Sequence, residues 1–268
     1  MSGVHPAAVI DPSAELAEGV EVGPYAIVGA GVKLGAGTII ESHAVLEGPA
    51  TFGRQNHVYP HVCIGQPPQD LKFAGGETRV EIGDRNHFRE FTTVHRGTEG
   101  GGGVTRIGSD NLFQAYSHVA HDCQVGSHTV FSNCGTLAGH VTVGDYARVG
   151  AFSAVHQFCR VGRNAYIGGF SVVTMDALPY AITVGQKPTC MGMNRIGLER
   201  GGFAAEEIQA LERAFRVLLR SKKNTTQALE TLRAEHSGSE HVGHLIEFIE
   251  SSQRGFVRGG RRGARGAA

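Results

Sequence analysis

The sequence contains 268 residues, and its 25 basic and 25 acidic side chains balance, which excludes a general surface for nucleic acid or another polyanion. It has no apolar stretch long enough for an integral membrane segment and no signal-peptide pattern at its start, so we expect a cytoplasmic protein. The five cysteines form no CxxC pair, which predicts reduced core thiols.

An aliphatic or aromatic residue recurs at every sixth position from the start of the chain. In the first run these residues are Val4, Ile10, Leu16, Val22, Val28, Leu34, Ile40, Leu46, Phe52, Val58 and Ile64. The period continues through 82–94 and 107–173. It matches neither a strand nor a helix, but it fits a chain that turns a corner every six residues. Three flat faces then form one coil of 18 residues, and the coils stack about 4.8 Å apart.

The repeat predicts a mainly β fold, a parallel β-helix over residues 1–190. Two stretches interrupt the period, at 66–78 and 96–106, and we expect loop excursions there. Helical spacing of apolar residues predicts a C-terminal α-helical domain over 191–258, which would cover the open end of the β-helix. Residues 259–268 have no core-forming side chain and are expected to form a flexible tail.

Histidines concentrate in the middle coils, and the 18-residue coil predicts which of them meet. Asp122 and His140 are 18 positions apart, so they should be vertical neighbours. The segment 117–122 should face 138–140 and the pair His156 and Gln157. A histidine beside a fixed carboxylate is an effective general base, and the cluster therefore predicts a catalytic site.

Seven short motifs carry a resemblance that covers nearly the whole chain. They are Gln69-Asp-Leu-Lys after Ile64-Gly, Val94-His-Arg-Gly-Thr, Gly108-Ser-Asp-Asn-Leu, Ala120-His-Asp-Cys, Leu137-Ala-Gly-His-Val, Ala154-Val-His-Gln-Phe-Cys and Ile167-Gly-Gly. With them the sequence resembles the acyl-[acyl-carrier-protein]–UDP-N-acetylglucosamine O-acyltransferases, the first enzymes of lipid A synthesis. The resemblance implies a left-handed β-helix and a homotrimer with each site between two subunits.

The resemblance also implies a role for single residues. His121 matches the general base that takes a proton from the sugar 3-hydroxyl, and Asp122 would orient its imidazole. The N–H of Gly139 matches the donor to the tetrahedral oxyanion. Gly169 matches the residue that limits acyl length, and a glycine there implies a 3-hydroxyacyl chain of about twelve to fourteen carbons. The residues that match substrate-binding positions are Asp70, Lys72, His118, His140, His156, Gln157, Asn194 and Arg200.

No cofactor or metal is implied, because the acyl group arrives as a phosphopantetheine thioester on acyl carrier protein. In helical spacing, Arg213, Arg216 and Arg220 form a basic face. It is either a solvated surface or a docking site for that acidic carrier, and the resemblance favours docking.

The sequence departs from the family pattern at 194–201. Asn194 and Arg200 are kept, but Ile196 replaces a glutamate and Gly201 replaces a second arginine at the nucleotide end. The sequence therefore leaves open whether the acceptor is a 3-hydroxyl or a 3-amino sugar nucleotide.

Two other classes of function fit the repeat. One is a zinc enzyme of the β-helical carbonic anhydrase type, in which histidines of neighbouring coils bind the metal. The other is a non-catalytic assembly protein that uses the β-helix as a spacer.

Overall fold

The described part of the chain forms a three-sided parallel β-helix followed by four α-helices. The structure, a computed structural model, describes residues 3–235 and 238–259. The fold class predicted from the sequence is confirmed. Of the predicted tail, 259–268, all but Gly259 lies outside the described residues.

Each coil contributes one short strand to each of three sheets. Among the described residues, sheet I contains Val9–Ile10, Ile27–Val28, Val45–Leu46, Cys63–Gln66, Thr93–His95, His118–Val119, Thr136–Leu137, Ala154–Val155 and Val172–Val173. Sheet II contains Glu15–Leu16, Val32–Leu34, Ala50–Phe52, Arg79–Ile82, Val104–Ile107, Gln124–Val125, Thr142–Val143 and Arg160–Val161. Sheet III contains Glu21–Val22, Ile39–Ile40, His57–Val58, His87–Phe88, Leu112–Phe113, Val130–Phe131, Arg148–Val149, Tyr166–Ile167, Ala181–Val184 and Thr189–Met193.

The residues with the six-residue period form the core. Val119, Leu137 and Val155 pair in register in sheet I and are almost fully buried. At the open N-terminal end the same period gives less burial, and Val4 is 46% exposed. The column widens to stacked rings where Phe88 and Phe113 lie 4.9 Å apart between centroids.

A ladder of buried amides stabilises the corner between sheets II and III. The side chain of Asn86 donates to Oδ1 of Asn56 and to the carbonyl of Gly108, and its own Oδ1 accepts from Asn111. Because each buried amide finds partners in the coils above and below, the corner can exclude water without leaving polar atoms unpaired.

Both interruptions of the period replace the same corner, between sheets I and II, in successive coils. The first leaves sheet I after Gln66 and rejoins sheet II at Arg79. The second leaves after His95, contains the 3₁₀ turn Glu99–Gly101, and rejoins sheet II at Val104. Residues 104–106, which the sequence assigns to the loop, are therefore strand, because Arg79 to Ile82 pair with Val104 to Ile107.

The C-terminal segment packs on the end of the β-helix. It consists of α1 Arg195–Arg200, α2 Ala205–Arg220, α3 Thr225–Glu235 and α4 Glu240–Glu250. Arg160 joins the two parts, since it bonds to Asp176 and to the backbone carbonyl of Phe248. No helix among the described residues is long and apolar enough to cross a membrane.

Candidate active site

Two corner residues in left-handed backbone conformation organise the candidate site. Asp122 has a backbone φ of 61° and His140 of 60°, values that residues other than glycine seldom adopt. Both occupy the corner between sheets I and II, where regular coils turn through a left-handed residue. The corner therefore stacks them one coil apart, directly above the two loop excursions.

His121 and Asp122 form a hydrogen-bonded pair. Nδ1 of His121 lies 2.8 Å from Oδ2 of Asp122, and the two side chains are 13% and 0% exposed. A carboxylate can only accept, so Nδ1 carries the proton of the neutral imidazole. Nε2 of His121 then has a free lone pair, which is the arrangement that a general base requires.

Further donors surround the buried carboxylate of Asp122. The backbone N–H of Thr98 donates to Oδ1 at 2.9 Å, and its hydroxyl donates to Oδ2 at 2.7 Å. Oγ1 of Thr105 accepts from the backbone N–H of Asp122 at 2.8 Å. These bonds compensate for burying a charge and fix the direction in which Oδ2 faces His121.

His140 completes the group above Asp122. Its Nε2 lies 3.8 Å from Oδ2 of Asp122, and its ring stacks on Phe158 with centroids 4.4 Å apart. Burial lowers the pKa of His140, while the negative charges of Asp122 and Asp70 act in the opposite direction. His121, Asp122 and His140 are the only group among the described residues with three potential metal ligands this close together.

His118 faces the same site from sheet I. Its Nδ1 lies 2.7 Å from Oγ1 of Thr93, and its ring meets His95 edge to face. Burial, followed by the neighbouring His95 and His121, lowers the pKa of His118 from 6.5 to about 4. His118 is thus neutral near pH 7 and able to bind a hydroxyl or phosphate-linked group as a hydrogen-bond partner.

Gly139 lies directly against the ring of His121. A Cβ at this position would lie 2.4 Å from Cε1 of His121, so a larger residue would displace the imidazole. Within the described residues its N–H makes no hydrogen bond. The backbone donor is therefore available to an oxygen atom beside the base.

Known protein families match several parts of the chain. The family described as "Udp N-acetylglucosamine O-acyltransferase; Domain 2" matches residues 176–257, and bacterial transferase hexapeptide repeats match 13–48 and 140–174. The chain is similar to the acyl-[acyl-carrier-protein]–UDP-N-acetylglucosamine O-acyltransferase of Stenotrophomonas maltophilia (strain R551-3), with 47% identity over 95% of this chain and 97% of the relative. The Myxococcus xanthus (strain DK1622) relative of the same name is 48% identical over 96% of this chain and 100% of its own.

The chain belongs to the UDP-N-acetylglucosamine O-acyltransferase family. The resemblance predicted from the motifs is confirmed, and the enzyme is an acyltransferase. The solved enzyme of Moraxella catarrhalis RH4 superposes with a TM-score of 0.92 at 39% identity, covering 95% of this chain and 99% of its own. The Francisella novicida enzyme gives 0.94 at 34% identity, covering 97% and 95%. The β-helix of the acyltransferase is left-handed, as in this family.

The loop residue Asp70 of the acyltransferase lies near the cluster, since its charge acts on His140. Asp70 accepts the backbone N–H of Lys72 at 2.9 Å, so it stabilises the loop, while the side chain of Lys72 is exposed. His156 and Gln157 are exposed one coil above His140. Among the described residues, neither side chain makes a hydrogen bond to the cluster.

Other predicted residues lie near the helical segment. Asn194 caps α1 by accepting from the N–H of Gly197 and donates to the carbonyl of Asn164. Arg200 is exposed at the end of α1. Neither side chain bonds to the histidine cluster within the described residues. Ile196 is 63% exposed beside them.

The predicted acyl-length residue, Gly169, is exposed, and a Cβ there would lie 3.2 Å from the carbonyl of Ala151.

The predicted docking residues lie on α2, where Arg213, Arg216 and Arg220 are all exposed.

Thr98 and Thr93 belong to the site, although the sequence pattern gave neither a role. Each contacts its partner across coils of irregular spacing, 24 and 25 residues apart, where the regular 18-residue stacking does not apply.

Proposed function

We propose that the enzyme transfers a 3-hydroxyacyl group from acyl carrier protein to the 3-hydroxyl of UDP-N-acetylglucosamine, the first step of lipid A synthesis. The observation that carries the proposal is the His121–Asp122 pair, in which a buried carboxylate holds Nδ1–H and leaves Nε2 free. The names of relatives at 47% and 48% identity support the choice of substrates.

The pair suggests a direct route for the chemistry. Nε2 of His121 takes the proton of the sugar 3-hydroxyl while the oxygen attacks the thioester carbonyl. The N–H of Gly139 donates to the oxyanion of the tetrahedral intermediate. When the intermediate collapses, the C–S bond breaks and the carrier's thiolate takes the proton from His121. An ester and a free carrier thiol result, and no further cofactor is needed.

Asp122 would remain ionised through this cycle and stabilise the imidazolium that forms on His121. His118, His140, His156, Gln157, Asp70 and Lys72 would hold the sugar nucleotide and the pantetheine arm. Gly169, at the position that matches the family's acyl-length residue, has no side chain and would leave the groove open to an acyl chain of about twelve to fourteen carbons.

We propose a homotrimer with shared sites. The cluster lies on an outer corner of the β-helix, and among the described residues Asn194 and Arg200 make no hydrogen bond to it. A neighbouring subunit would supply these residues and the second wall of the site. The exposed rings of Phe152 and Phe170 are suited to burial in such a contact.

The exposed arginines of α2 (213, 216 and 220) would dock the acidic carrier protein. The five free cysteines suit a reducing compartment, and we place the reaction in the cytoplasm.

A donor and acceptor panel tests the proposal. Acyl carrier proteins with 3-hydroxyacyl chains of different lengths are assayed with UDP-N-acetylglucosamine and with its 3-amino analogue. We expect ester formation with the 3-hydroxyl acceptor. Amide formation alone would assign the 3-amino sugar, an outcome for which Ile196 and Gly201 are the candidate cause. No turnover with any pair would overturn the proposal.

A further inference from the structure

The glycine loop, residues 97–103, packs against the carboxylate of Asp122, to which its Thr98 donates hydrogen bonds. It replaces the regular corner in the coil directly below Asp122. A regular hexapeptide corner would place a single left-handed residue there, too short to reach around a side chain in the next coil. The interruption of the period therefore puts backbone and a hydroxyl where a regular β-helix has none.

Two contacts show that the loop is shaped to the carboxylate. A Cβ on Gly101 would lie 2.1 Å from Cγ of Asp122, and a Cβ on Gly97 would lie 2.8 Å from its Oδ1. Only glycine permits the backbone to come this close. The side chain of Glu99 packs against Gly76 of the other loop excursion, so the two loops support each other.

Thr98 is the residue of the loop that binds the carboxylate. It donates to both oxygens, through N–H at 2.9 Å and through Oγ1 at 2.7 Å, while Oγ1 also accepts from the N–H of Gly101 at 3.1 Å. Thr98 is 8% exposed. Each oxygen of Asp122 thus has a fixed donor, and Oδ2 receives both Thr98 and His121.

We propose that Thr98 is a positioning residue for the acyl transfer: held by the glycine loop, it fixes the Asp122 carboxylate so that Oδ2 orients the His121 imidazole. This inference rests on the proposed role of His121 as the base. Thr98 acts through Asp122 and touches no substrate. Its loss should slow the chemical step and leave substrate binding unchanged.

Matched variants of the full-length enzyme test this role. Thr98→Val removes the hydroxyl, and kcat is expected to fall about ten- to hundredfold while the KM for UDP-N-acetylglucosamine stays constant. Thr98→Ser keeps the hydroxyl and should restore most of kcat. Gly101→Ala should lower kcat in the same way, whereas Gly100→Ala, with nothing within 4 Å of its Cβ, should not. Thermal unfolding of each variant separates a positioning effect from loss of the fold.

A double-mutant cycle tests whether Thr98 acts through Asp122. In an Asp122→Asn background, Thr98→Val should lower kcat little further, because the carboxylate that Thr98 binds is already gone. Two losses that multiply, or a Thr98→Val enzyme with wild-type kcat, would overturn the inference.

NMR makes the test independent of turnover. The His121 Nδ1–H resonance should shift or broaden in Thr98→Val and remain in Thr98→Ser. An unchanged resonance in Thr98→Val would contradict the positioning role. A wild-type enzyme with this resonance but without acyl transfer would contradict the proposed function alone.

Discussion

Nε2 of His140 lies 3.8 Å from Oδ2 of Asp122, although the two residues are one full coil apart in the chain. Both occupy the same left-handed corner position, and the backbone N–H of His140 bonds to the carbonyl of His121. The corner register therefore gives Asp122 two imidazole neighbours. His121 makes the shorter contact, and it is the imidazole that we propose as the base.

Asp122→Asn tests the contribution of the charge. An amide of the same shape can no longer stabilise an imidazolium at His121, and it can offer a donor where the imidazole needs an acceptor. We expect kcat to fall about a hundredfold or more, with KM little changed. Steady-state kinetics measures both values. A variant with more than half of the wild-type kcat would show that the charge is not used.

Gly139→Ala tests the close approach to the base. The added methyl group would meet the imidazole of His121, which must move away from its position beside the Gly139 N–H. A displacement of this size should lower kcat about a hundredfold. The fold should survive, because the nearest atoms belong to a partly exposed side chain. Unchanged kcat in a correctly folded variant would argue against the alignment of base and oxyanion donor.

His118 predicts a pH dependence of stability. Its pKa is lowered from 6.5 to about 4 in the folded protein, so between these values the unfolded chain binds more protons. The contribution of His118 to the free energy of unfolding is therefore fully present above about pH 6.5. It is lost as the pH falls towards 4, by about 3 kcal/mol at most. Buried His95, whose pKa is also lowered, adds to the effect.

Urea unfolding of the wild type and of His118→Gln at pH 7 and pH 4.5 measures this contribution. The variant should lose less stability between the two pH values, since glutamine does not titrate. Equal losses in both proteins would show that His118 is not kept neutral by the fold.

Removal of metal should leave the reaction unaffected. Both oxygens of Asp122 already accept hydrogen bonds, and the His121 nitrogen nearest to it carries a proton. His121, Asp122 and His140 could together hold a metal ion, but these hydrogen bonds favour the proton-transfer role that we propose for them. We expect equal kcat before and after dialysis against a chelator. Activity that is lost on chelation and restored by zinc would favour the metalloenzyme alternative.

Cys123 should be inert although it follows Asp122 directly. Its thiol is buried and bonds to the carbonyl of Ala138, and burial raises its pKa to about 12. Iodoacetamide at pH 8 should modify partly exposed Cys134 before Cys123, without loss of activity. Mass spectrometry of the native enzyme identifies the modified sites. Early alkylation of Cys123 together with inactivation would place a reactive thiol in the site.

The regular part of the fold could be predicted from the sequence because every coil buries its apolar residues at the same spacing. One inward residue in six defines the core column, and positions 18 apart then stack, which places His140 above Asp122. The grouping of His121, Asp122 and His140 follows from that register.

The surroundings of Asp122 could not be predicted in the same way. Thr98 reaches it from an irregular loop, and nothing in a run of glycines indicates which carboxylate the loop encloses. The family match assigns Asn194 to substrate binding, but the match does not indicate its contacts within one chain. There its side chain caps α1 and bonds to the carbonyl of Asn164. The conformations of the loops and of the segment ends depend on contacts between particular residues, which the six-residue period does not predict.

The most direct test of the account is the rate of acyl transfer by His121→Ala, measured in a single turnover with 3-hydroxyacyl carrier protein and UDP-N-acetylglucosamine. Removal of the base should slow the chemical step by about a hundred- to ten-thousandfold, while the thermal unfolding and the binding of the sugar nucleotide remain those of the wild type. A His121→Ala enzyme that transfers the acyl group at the wild-type rate would contradict it.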